Sequence, residues 1–388
     1  MTKKKINLLI YSYCIIIFSF SLFRFYDLEP SIDQIRHISW ALDLINSKGF
    51  FGIDLINLNL EDLKYKNTFI INLFGSAYSD IGHIFNIIPI LILGIILKLN
   101  FDPIISFNFL SISFYILNLF LILKLIRVIS LKILKYELGD IDFIILSLFV
   151  TVPYYYFFSS LGFHNIAIFF LTFTIYLTET NKRMNFKNFF LITMMSIFGI
   201  FSHKTNIFFI PFIVLLYFFN KYQVKYLVLF ISSMIFFLIP ILLFLNKAPT
   251  AGSSSIYFAD FDFSIKSILK NFLIWFLNIG KTLNFGYLTF FILSFFACAK
   301  YFKKFKSFYV IVVLHLLCYL LINSFSVYYL RTNLYLSYTI LILIIIFYLD
   351  IIKNYDQYIK FIRPLFVVLI IFNFYIFYSP KNLKIVND

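Results

Sequence analysis

The chain of 388 residues is 62% hydrophobic and 13% charged, whereas a soluble domain has about 25% charged residues. Apolar runs long enough to cross about 30 Å of hydrocarbon recur from end to end, which excludes an ordinary soluble protein. The net charge of +15 comes from short basic clusters between these runs, a pattern that the positive-inside rule explains better than a nucleic-acid partner. The composition therefore predicts an all-α polytopic membrane protein, with residues 1–388 forming one integral membrane domain.

The first apolar run covers residues 6–23 and follows Lys3, Lys4 and Lys5. It has the positive front of a signal peptide, but no small-residue cleavage site follows it. We therefore expect an uncleaved first helix. The predicted location is the inner (plasma) membrane, with a multi-pass chain and a cytoplasmic N-terminus.

Region 25–103 is predicted to be a first outer loop, because acids dominate its polar part. Apolar residues recur at spacings of three and four within 32–46, which predicts an amphipathic helix lying along the membrane surface. A second apolar piece, 84–99, is about sixteen residues long, a marginal length for a span. If this piece crossed the membrane, every later basic cluster would face outward. We therefore predict an interfacial or re-entrant piece that does not cross.

Ten further apolar runs predict membrane spans, which together with the first helix gives about eleven transmembrane helices. Loops that contain basic clusters are placed inside, and 247–281 is predicted to be a second outer loop. This alternation is consistent from the first span to the last. The predicted later spans are 104–126, 142–158, 163–178, 188–201, 206–219, 226–246, 284–299, 307–325, 334–350 and 362–378.

The stretch 30–40 places an acid, an amide, a cation and an imidazole where the first helix leaves the bilayer. Asp33 is the candidate catalytic base in this stretch. Its neighbours Gln34, Arg36 and His37 are candidate substrate-binding residues. The alternative is that Asp33 is an exposed acid near a helix N-terminus, where the helix dipole favours negative charge.

Two basic residues on the predicted outer side run against the positive-inside bias and need a reason. Lys204 lies in a short polar island between two apolar runs, and Arg331 lies in the connection 328–333. A guanidinium suits bidentate contact with a phosphate, and an ammonium acts as a point charge. Lys204, Arg331 and the adjacent His203 are therefore candidate ligands of a lipid phosphate. The alternative is that the two cations snorkel to the membrane surface.

Asp80, His83 and His164 complete the candidate substrate-binding residues on the predicted outer side. Asp80 and His83 form a weak metal set with Asp33, because three residues without a fixed spacing are a poor metal signature. His164 is more typical of a hydrogen-bonded loop histidine. A divalent metal is compatible with these residues but is not indicated by their spacing, so no cofactor is predicted.

The order of these features resembles the membrane glycosyltransferases of the GT-C fold that use polyprenyl-phosphate sugars. Protein O-mannosyltransferases and lipid A aminoarabinose transferases belong to that family. Its acidic motif in the first outer loop is similar to Asp33 ahead of the run 41–45, although Gln34 stands where the family often has a second acid. The stretch 199–204 looks like the family's G-x-x-x-x-T-K, with Ser-His in place of the usual residues. The stretch 329–336 is similar to R-Y-x-x-x-x-x-P without its Tyr and Pro.

The resemblance implies transfer of a sugar from a polyprenyl-phosphate donor to an acceptor hydroxyl at the outer (periplasmic) face. The acceptor would be a glycan, a lipid or a protein, in polysaccharide biosynthesis of the cell envelope. Asp33 would be the general base, and Lys204, Arg331 and His203 would bind the donor phosphate.

Three alternatives stay open. An O-antigen-type repeat-unit polymerase would usually place its long loops and arginines later in the chain. A lipid-linked glycan flippase or other transporter predicts charged groups near the bilayer midplane. A purely structural membrane protein predicts no shared cavity for the candidate residues.

Overall fold

In the computed structural model of the chain, every regular element of the described residues is a helix, which confirms the all-α fold. Two stretches of these residues, Ile6–Phe23 and Pro103–Leu131, are long and apolar enough to cross a membrane, judged by length and composition. The described residues are 3–25, 35, 37–38, 41–42, 87–159, 164–180, 185–202, 214, 223–245, 264–267, 269–270, 273, 294, 299 and 333–378.

The long described helices begin and end within four residues of predicted apolar runs. The predicted spans 206–219, 284–299 and 307–325 lie almost wholly outside the described residues. A π-helix (Ile129–Leu134) directly follows Val128, and a 3-10 turn (Asp356–Tyr358) directly precedes Ile359. The α-helices are α1 (Lys3–Phe25), α2 (Ile87–Leu97), α3 (Pro103–Val128), α4 (Asp140–Ser159), α5 (His164–Thr180), α6 (Phe186–Ile200), α7 (Val224–Leu245), α8 (Asn333–Asn354) and α9 (Ile359–Tyr378).

Side-chain caps determine where α3 and α6 begin. The Asp102 carboxylate accepts hydrogen bonds from the backbone N–H groups of Ile104 and Ile105, each at 2.9 Å. Proline is the first residue of α3. Its missing N–H removes no helical hydrogen bond, because an N–H at this position has no acceptor within the helix. At the start of α6, the Asn185 side chain accepts from the Asn188 N–H at 2.8 Å. These caps satisfy backbone donors that a helix start would otherwise leave without a partner.

Helix α3 is central, since it packs against α1, α2, α4 and α5. Its inward face includes Tyr115, Leu119 and Ile122, each at most 1% exposed. These residues belong to the main hydrophobic core, which also contains side chains of α1 and of α4 to α9. Farther from α3, α4 packs on α9, α5 on α6, and α6 on α7.

Basic residues from separate helices meet at one end of the bundle, here named the basic end. Lys124 Nζ and Arg127 Nη1, near the end of α3, both donate to Asn7 Oδ1 at the start of α1, each at 2.8 Å. The Lys353 ammonium, in the last turn of α8, donates to the Leu134 carbonyl of the π-helix. The start of α1, the end of α3 and the end of α8 therefore share one end of the bundle.

The other end, here named the opposite end, contains α2 and the start of α3. Helix α2 has eleven residues, and a turn that includes Asn100 at φ 60° leads from it directly into α3. Asparagine tolerates this left-handed conformation better than most residues. Near the start of α2, the Ile88 N–H donates to the Phe201 carbonyl at the end of α6, at 3.2 Å. Helix α2 therefore lies beside this end and does not run the length of the bundle.

Two buried polar pairs join α3 to α5, here named the α3–α5 ladder. Asn165 Nδ2 donates to Ser111 Oγ at 3.1 Å, and Thr172 Oγ1 donates to Asn118 Oδ1 at 3.2 Å. Each pair is separated by 54 residues in the chain. The equal separation means that α3 and α5 run parallel. The pairs lie about two helical turns apart, so both can face the same neighbouring helix. The ladder therefore fixes the register of α3 on α5.

We predict that Asn118→Ala lowers the free energy of unfolding by about 1–3 kcal/mol, because it removes the bonds to α5 and leaves a cavity. The double variant with Thr172→Ala should show a coupling energy of about 0.6 kcal/mol, as expected for a hydrogen bond between helices in a membrane protein. Denaturant unfolding of the purified chain in detergent measures both quantities.

Thr174→Ala is the matched control for this prediction. Thr174 is as fully buried in α5 as Thr172. Each hydroxyl lies 2.8 Å from the carbonyl four residues earlier in α5, but within the described residues only the Thr172 hydroxyl also contacts Asn118 Oδ1. The Thr174 change should show no coupling to Asn118→Ala. Strict additivity of the Asn118 and Thr172 changes would contradict the ladder.

Candidate functional site

Two of the ten candidate site residues, His37 and His164, belong to the part of the chain that the structure describes. The meeting of the candidate base and the candidate phosphate ligands in one cavity therefore stays a prediction. The candidate residues that lie outside the described residues are Asp33, Gln34, Arg36, Asp80, His83, His203, Lys204 and Arg331.

His37 lies at the opposite end of the bundle, against α3. Its imidazole stacks on the Phe107 ring, with ring centroids 6.4 Å apart and ring planes 13° apart. Its neighbours Ile38 and Ala41 are buried, at 7% and 0% exposed. The described residues between 35 and 42 are all helical. An apolar helical face therefore attaches this segment to the bundle.

Residues from four segments form a second hydrophobic cluster, here named the opposite-end cluster. Ile166 of α5 belongs to it, two residues after His164, which is the first residue of α5. Phe198 of α6 packs against the cluster, three residues before the Phe201 carbonyl that α2 contacts. The buried members are Ile38, Ala41, Ile90, Leu93, Leu97, Phe107, Leu110, Ile166 and Phe170.

The opposite-end cluster thus brings together segments that are far apart in sequence. Residues 37–42 belong to the segment that contains the candidate base. The start of α5 contains His164, and the end of α6 at residues 198–202 comes directly before His203 and Lys204. Described neighbours of three predicted site segments therefore lie at one end of the bundle.

At the basic end, an ion pair joins α4 to α9 and a hydrogen bond joins α4 to α8; these residues, Asp142, Arg363 and Tyr348, are here named the Asp142 cluster. Asp142 Oδ1 accepts from the Tyr348 hydroxyl at 2.7 Å and from Arg363 Nε at 2.9 Å. Asp142 Oδ2 accepts from Arg363 Nη2 at 2.8 Å. The Asp142 side chain is 1% exposed, whereas that of Arg363 is 35% exposed. The Arg363 guanidinium and the Asp142 carboxylate therefore form a bidentate ion pair, in which Asp142 is buried and Arg363 is partly exposed.

This arrangement suits an anchor better than a reactive carboxylate. A general base needs a lone pair within hydrogen-bond reach of a substrate proton, and both oxygens of Asp142 already accept bonds from neighbouring helices. The Lys353 bond to the π-helix lies at the same end and joins α8 a second time. We therefore interpret the Asp142 cluster as the attachment of α8 and α9 to α4.

Tyr136 lies next to this cluster, in the loop between the π-helix and α4. Burial raises the pKa of the Tyr136 phenol, the Asp142 and Asp356 carboxylates raise it further, and Arg363 acts in the opposite direction. The phenol is therefore neutral at physiological pH. It adds no second negative charge beside Asp142.

No prediction from the sequence included the Asp142 cluster. Asp142 and Arg363 are 221 residues apart in the chain, and each looks like the charged edge of a separate span. The available signal was a pair of acids, Asp140 and Asp142, in the first turn of a helix on the predicted basic side. Other predicted inner connections also contain acids, such as Glu179 and Asp356, so this signal did not single out Asp142.

No group of three or more His, Cys, Asp or Glu side chains that could hold a metal ion occurs within the described residues. The weak candidate set of Asp33, Asp80 and His83 lies outside those residues.

We predict that Asp142→Ala lowers the free energy of unfolding by about 3 kcal/mol, because removing one partner of a buried pair leaves the other without its counter-charge. Partial exposure of Arg363 keeps the loss at the lower end of the usual range. Asp140→Ala is the control, since Asp140 is exposed in the same helical turn. It should change stability by less than about 0.5 kcal/mol. Equal losses in the two variants, measured by unfolding in detergent, would contradict the anchoring role.

The chain was compared with models of known protein families, with curated proteins and with solved structures, and no match was found. A function for the chain is therefore inferred from its own residues and their arrangement.

Proposed function

We propose that the chain is a multi-pass membrane glycosyltransferase. It moves a sugar from a polyprenyl-phosphate donor to an acceptor hydroxyl of a glycan, lipid or protein at the outer face of the inner membrane. About eleven helices span the bilayer, and the N-terminus and the basic end face the cytoplasm. The proposal depends on one observation, which is that described neighbours of the candidate catalytic segments meet at the opposite end.

Exposed apolar surface supports the membrane part of the proposal. Only 22% of the apolar stretch Ile6–Phe23 is buried inside the protein. Leu8 is 65% exposed and Phe23 is 82% exposed. Exposing such surface to water costs roughly 25 cal/mol per Å², whereas lipid hydrocarbon removes that cost. Helix α9 has the same character, since Phe361 is 73% exposed and Ile371 is 61% exposed.

Chain connectivity supports a shared catalytic site. Asp33 precedes His37 by four residues, and Lys204 follows Ser202 by two. A chain advances at most about 3.6 Å per residue. Because the His37 segment and the end of α6 both belong to the opposite end, the candidate base and the candidate phosphate ligand are attached to the same end of the bundle.

The position of α8 extends this support to Arg331. Arg331 comes two residues before Asn333, the first residue of α8. The last turn of α8 is at the basic end, where Lys353 contacts the π-helix. A helix of 22 residues is about 33 Å long, which places its start toward the opposite end. The segments that contain Asp33, Lys204 and Arg331 are therefore all expected at the same membrane face.

In the proposed reaction, Asp33 accepts the proton of the acceptor hydroxyl while that oxygen attacks the anomeric carbon of the donor sugar. The bond from the anomeric carbon to the phosphate oxygen breaks, and the electron pair leaves with the lipid phosphate. Lys204 and Arg331 stabilise the negative charge that develops on the phosphate, and His203 donates a hydrogen bond to it. The remaining candidate residues position the sugar and the acceptor: Gln34, Arg36, His37, Asp80, His83 and His164.

Cysteine accessibility tests the proposed orientation. In a background in which Cys14, Cys298 and Cys318 are replaced by Ala, Asn100→Cys at the opposite end should react with a membrane-impermeant maleimide in intact cells. Lys187→Cys at the start of α6 should react only after the cells are permeabilised. The reverse pattern would contradict the orientation, and labelling of both residues in intact cells would contradict the membrane arrangement.

Site variants test the proposed reaction. Asp33→Asn should lower the rate of sugar transfer by about a hundredfold or more, because it removes the base. Lys204→Ala and Arg331→Ala should each lower it by about a hundredfold, and Arg331→Lys by less, because it keeps the charge and loses the fork. The assay follows labelled sugar from synthetic polyprenyl-phosphate hexoses and pentoses to acceptors, using the purified full chain.

Asp43→Asn, a second acid of the same predicted outer loop, is the control and should leave the rate unchanged. Folded Asp33→Asn protein with full activity would contradict the role of Asp33. Folded wild-type protein that transfers sugar from none of the lipid donors would contradict the proposed function.

A further inference from the structure

Two cations of α3 meet where α1 packs against α3, at the basic end of the bundle. Lys124 Nζ and Arg127 Nη1 both donate to Asn7 Oδ1 of α1, so these two nitrogens are no more than twice 2.8 Å apart. Both cationic side chains are half-buried. Lys124 and Arg127 are here named the seam cations, and the line of contact between α1 and α3 is named the seam. They lie at the other end of the bundle from the proposed catalytic site.

The group that joins the seam cations does not cancel their charge. An amide oxygen is neutral, so Asn7 accepts a hydrogen bond from each cation without supplying a counter-charge. A guanidinium has five N–H donors in a planar fork, and within the described part of the chain Arg127 donates to Asn7 alone. Glu137 lies near Arg127 but already has an interaction partner. A phosphate would therefore find unused donors on Arg127 and a second positive charge close by on Lys124.

The seam cations lie within an apolar stretch, close to its end. Both belong to the stretch Pro103–Leu131, and Asn7 is the second residue of the stretch Ile6–Phe23. In the proposed membrane arrangement these stretches span the bilayer, and their ends lie where hydrocarbon meets the lipid headgroups. Ionisable side chains inside such a stretch are costly and mark functional contacts. The long side chains of Lys and Arg extend toward the headgroup layer, so lipid phosphates are the anions nearest to the seam cations.

Two aromatic rings hold the Lys124 ammonium at the seam. Its Nζ lies 5.3 Å from the ring centroid of Tyr11 and 5.2 Å from that of Phe120. The two rings stack on each other with their centroids 5.6 Å apart, and Tyr11 is exposed. Farther toward the opposite end, Ile15 of α1 and Leu117 of α3 are exposed as well. The fixed cation therefore stands beside an exposed apolar surface on which an acyl chain can lie.

We propose that the seam cations bind the phosphodiester of an anionic phospholipid of the phosphatidylglycerol type, on the lipid-facing surface of the seam. The phosphate oxygens accept hydrogen bonds from Arg127, and Lys124 adds its positive charge. An acyl chain lies along the exposed side chains of Tyr11 and Ile15. A zwitterionic headgroup binds less well, because its ammonium or choline group brings a third positive charge to the seam. The inference depends on the membrane part of the proposed function and is independent of sugar transfer.

Native mass spectrometry of the full chain in detergent tests the ligand class. Dioleoyl phosphatidylglycerol should bind about tenfold more tightly than dioleoyl phosphatidylethanolamine or dioleoyl phosphatidylcholine, a difference of about 1.4 kcal/mol. Equal binding of the three lipids, or tighter binding of a zwitterionic one, would overturn the proposal. Soluble glycerol phosphate at equimolar concentration should leave the lipid bound. Displacement of the lipid would show that a free phosphate suffices, and it would overturn the lipid as the ligand.

The variant Asn7→Asp separates lipid binding from the attachment of α1 to α3. It keeps an acceptor oxygen where both cations donate, so the two helices should stay joined. Its negative charge cancels one cation and repels a phosphate. Binding of phosphatidylglycerol should therefore fall about tenfold, while the midpoint of unfolding in detergent stays the same or rises. Unchanged binding by the folded variant would show that the seam cations only join the helices, and it would overturn the proposal.

Variants of Arg127 test the guanidinium itself. Arg127→Gln should weaken binding of phosphatidylglycerol about tenfold, and Arg127→Lys should weaken it less, because it keeps the charge and loses the fork. Lys225→Gln is the charge-matched control, since Lys225 is an exposed cation at the start of α7, and it should bind the lipid as the wild type does. Equal losses in Arg127→Gln and Lys225→Gln would show general charge attraction and overturn the site. Because none of these measurements involves sugar transfer, a failure of the lipid site and a failure of the proposed enzyme activity are distinguishable.

Discussion

The parallel packing of α3 on α5 determines which ends of the helices meet, and the α3–α5 ladder holds that packing in register. Buried polar groups in an apolar interior are costly unless they are hydrogen-bonded. A slip of one residue would separate Ser111 from Asn165 and Asn118 from Thr172 at the same time. Because α3 and α5 point the same way, their starts lie together, and the opposite-end cluster can form there with α2, with Ile38, Ala41 and Leu42, and with the end of α6.

The two ends of the bundle are built by different interactions, and this difference suits a catalyst at one membrane face. At the basic end, charged and polar side chains are engaged with one another, as in the bidentate pair of Asp142 with Arg363 and the shared contact of Lys124 and Arg127 on Asn7. These contacts attach α8, α9 and α1 to the central helices. At the opposite end, the described contacts are largely apolar, and they hold the segments that adjoin the candidate site residues. Fixed helices at one end can therefore support a site at the other.

The distribution of charge within the described helices bears on the choice between an enzyme and a transporter. A transporter or flippase is expected to have charged groups near the bilayer midplane. Asn118 lies near the middle of the apolar stretch Pro103–Leu131, and its amide is bonded to Asn165 and Thr172. Lys124, Asp142, Asp350 and Arg363 each lie within two turns of an end of their helix. Neutral, mutually bonded groups at mid-depth stabilise helix packing, so this part of the chain favours a site at one face over a path across the membrane.

The sequence by itself determined the all-α fold and the approximate bounds of the described helices, because these depend on local properties. The length of an apolar run can be read directly from the sequence, so each long described helix begins and ends close to a predicted run. The charge of a basic cluster can be read in the same way. The tertiary structure alone decided the partners. Asp142 finds Tyr348 across 206 residues and Arg363 across 221, and no local pattern specifies such pairs, since they depend on how whole helices pack. The candidate residues around Asp33 and Lys204 could be named from their position against the charge bias. The neighbours of these residues meet at one end because of the directions in which α5 and α6 run. The hydrophobicity of an apolar run does not specify the direction of its helix.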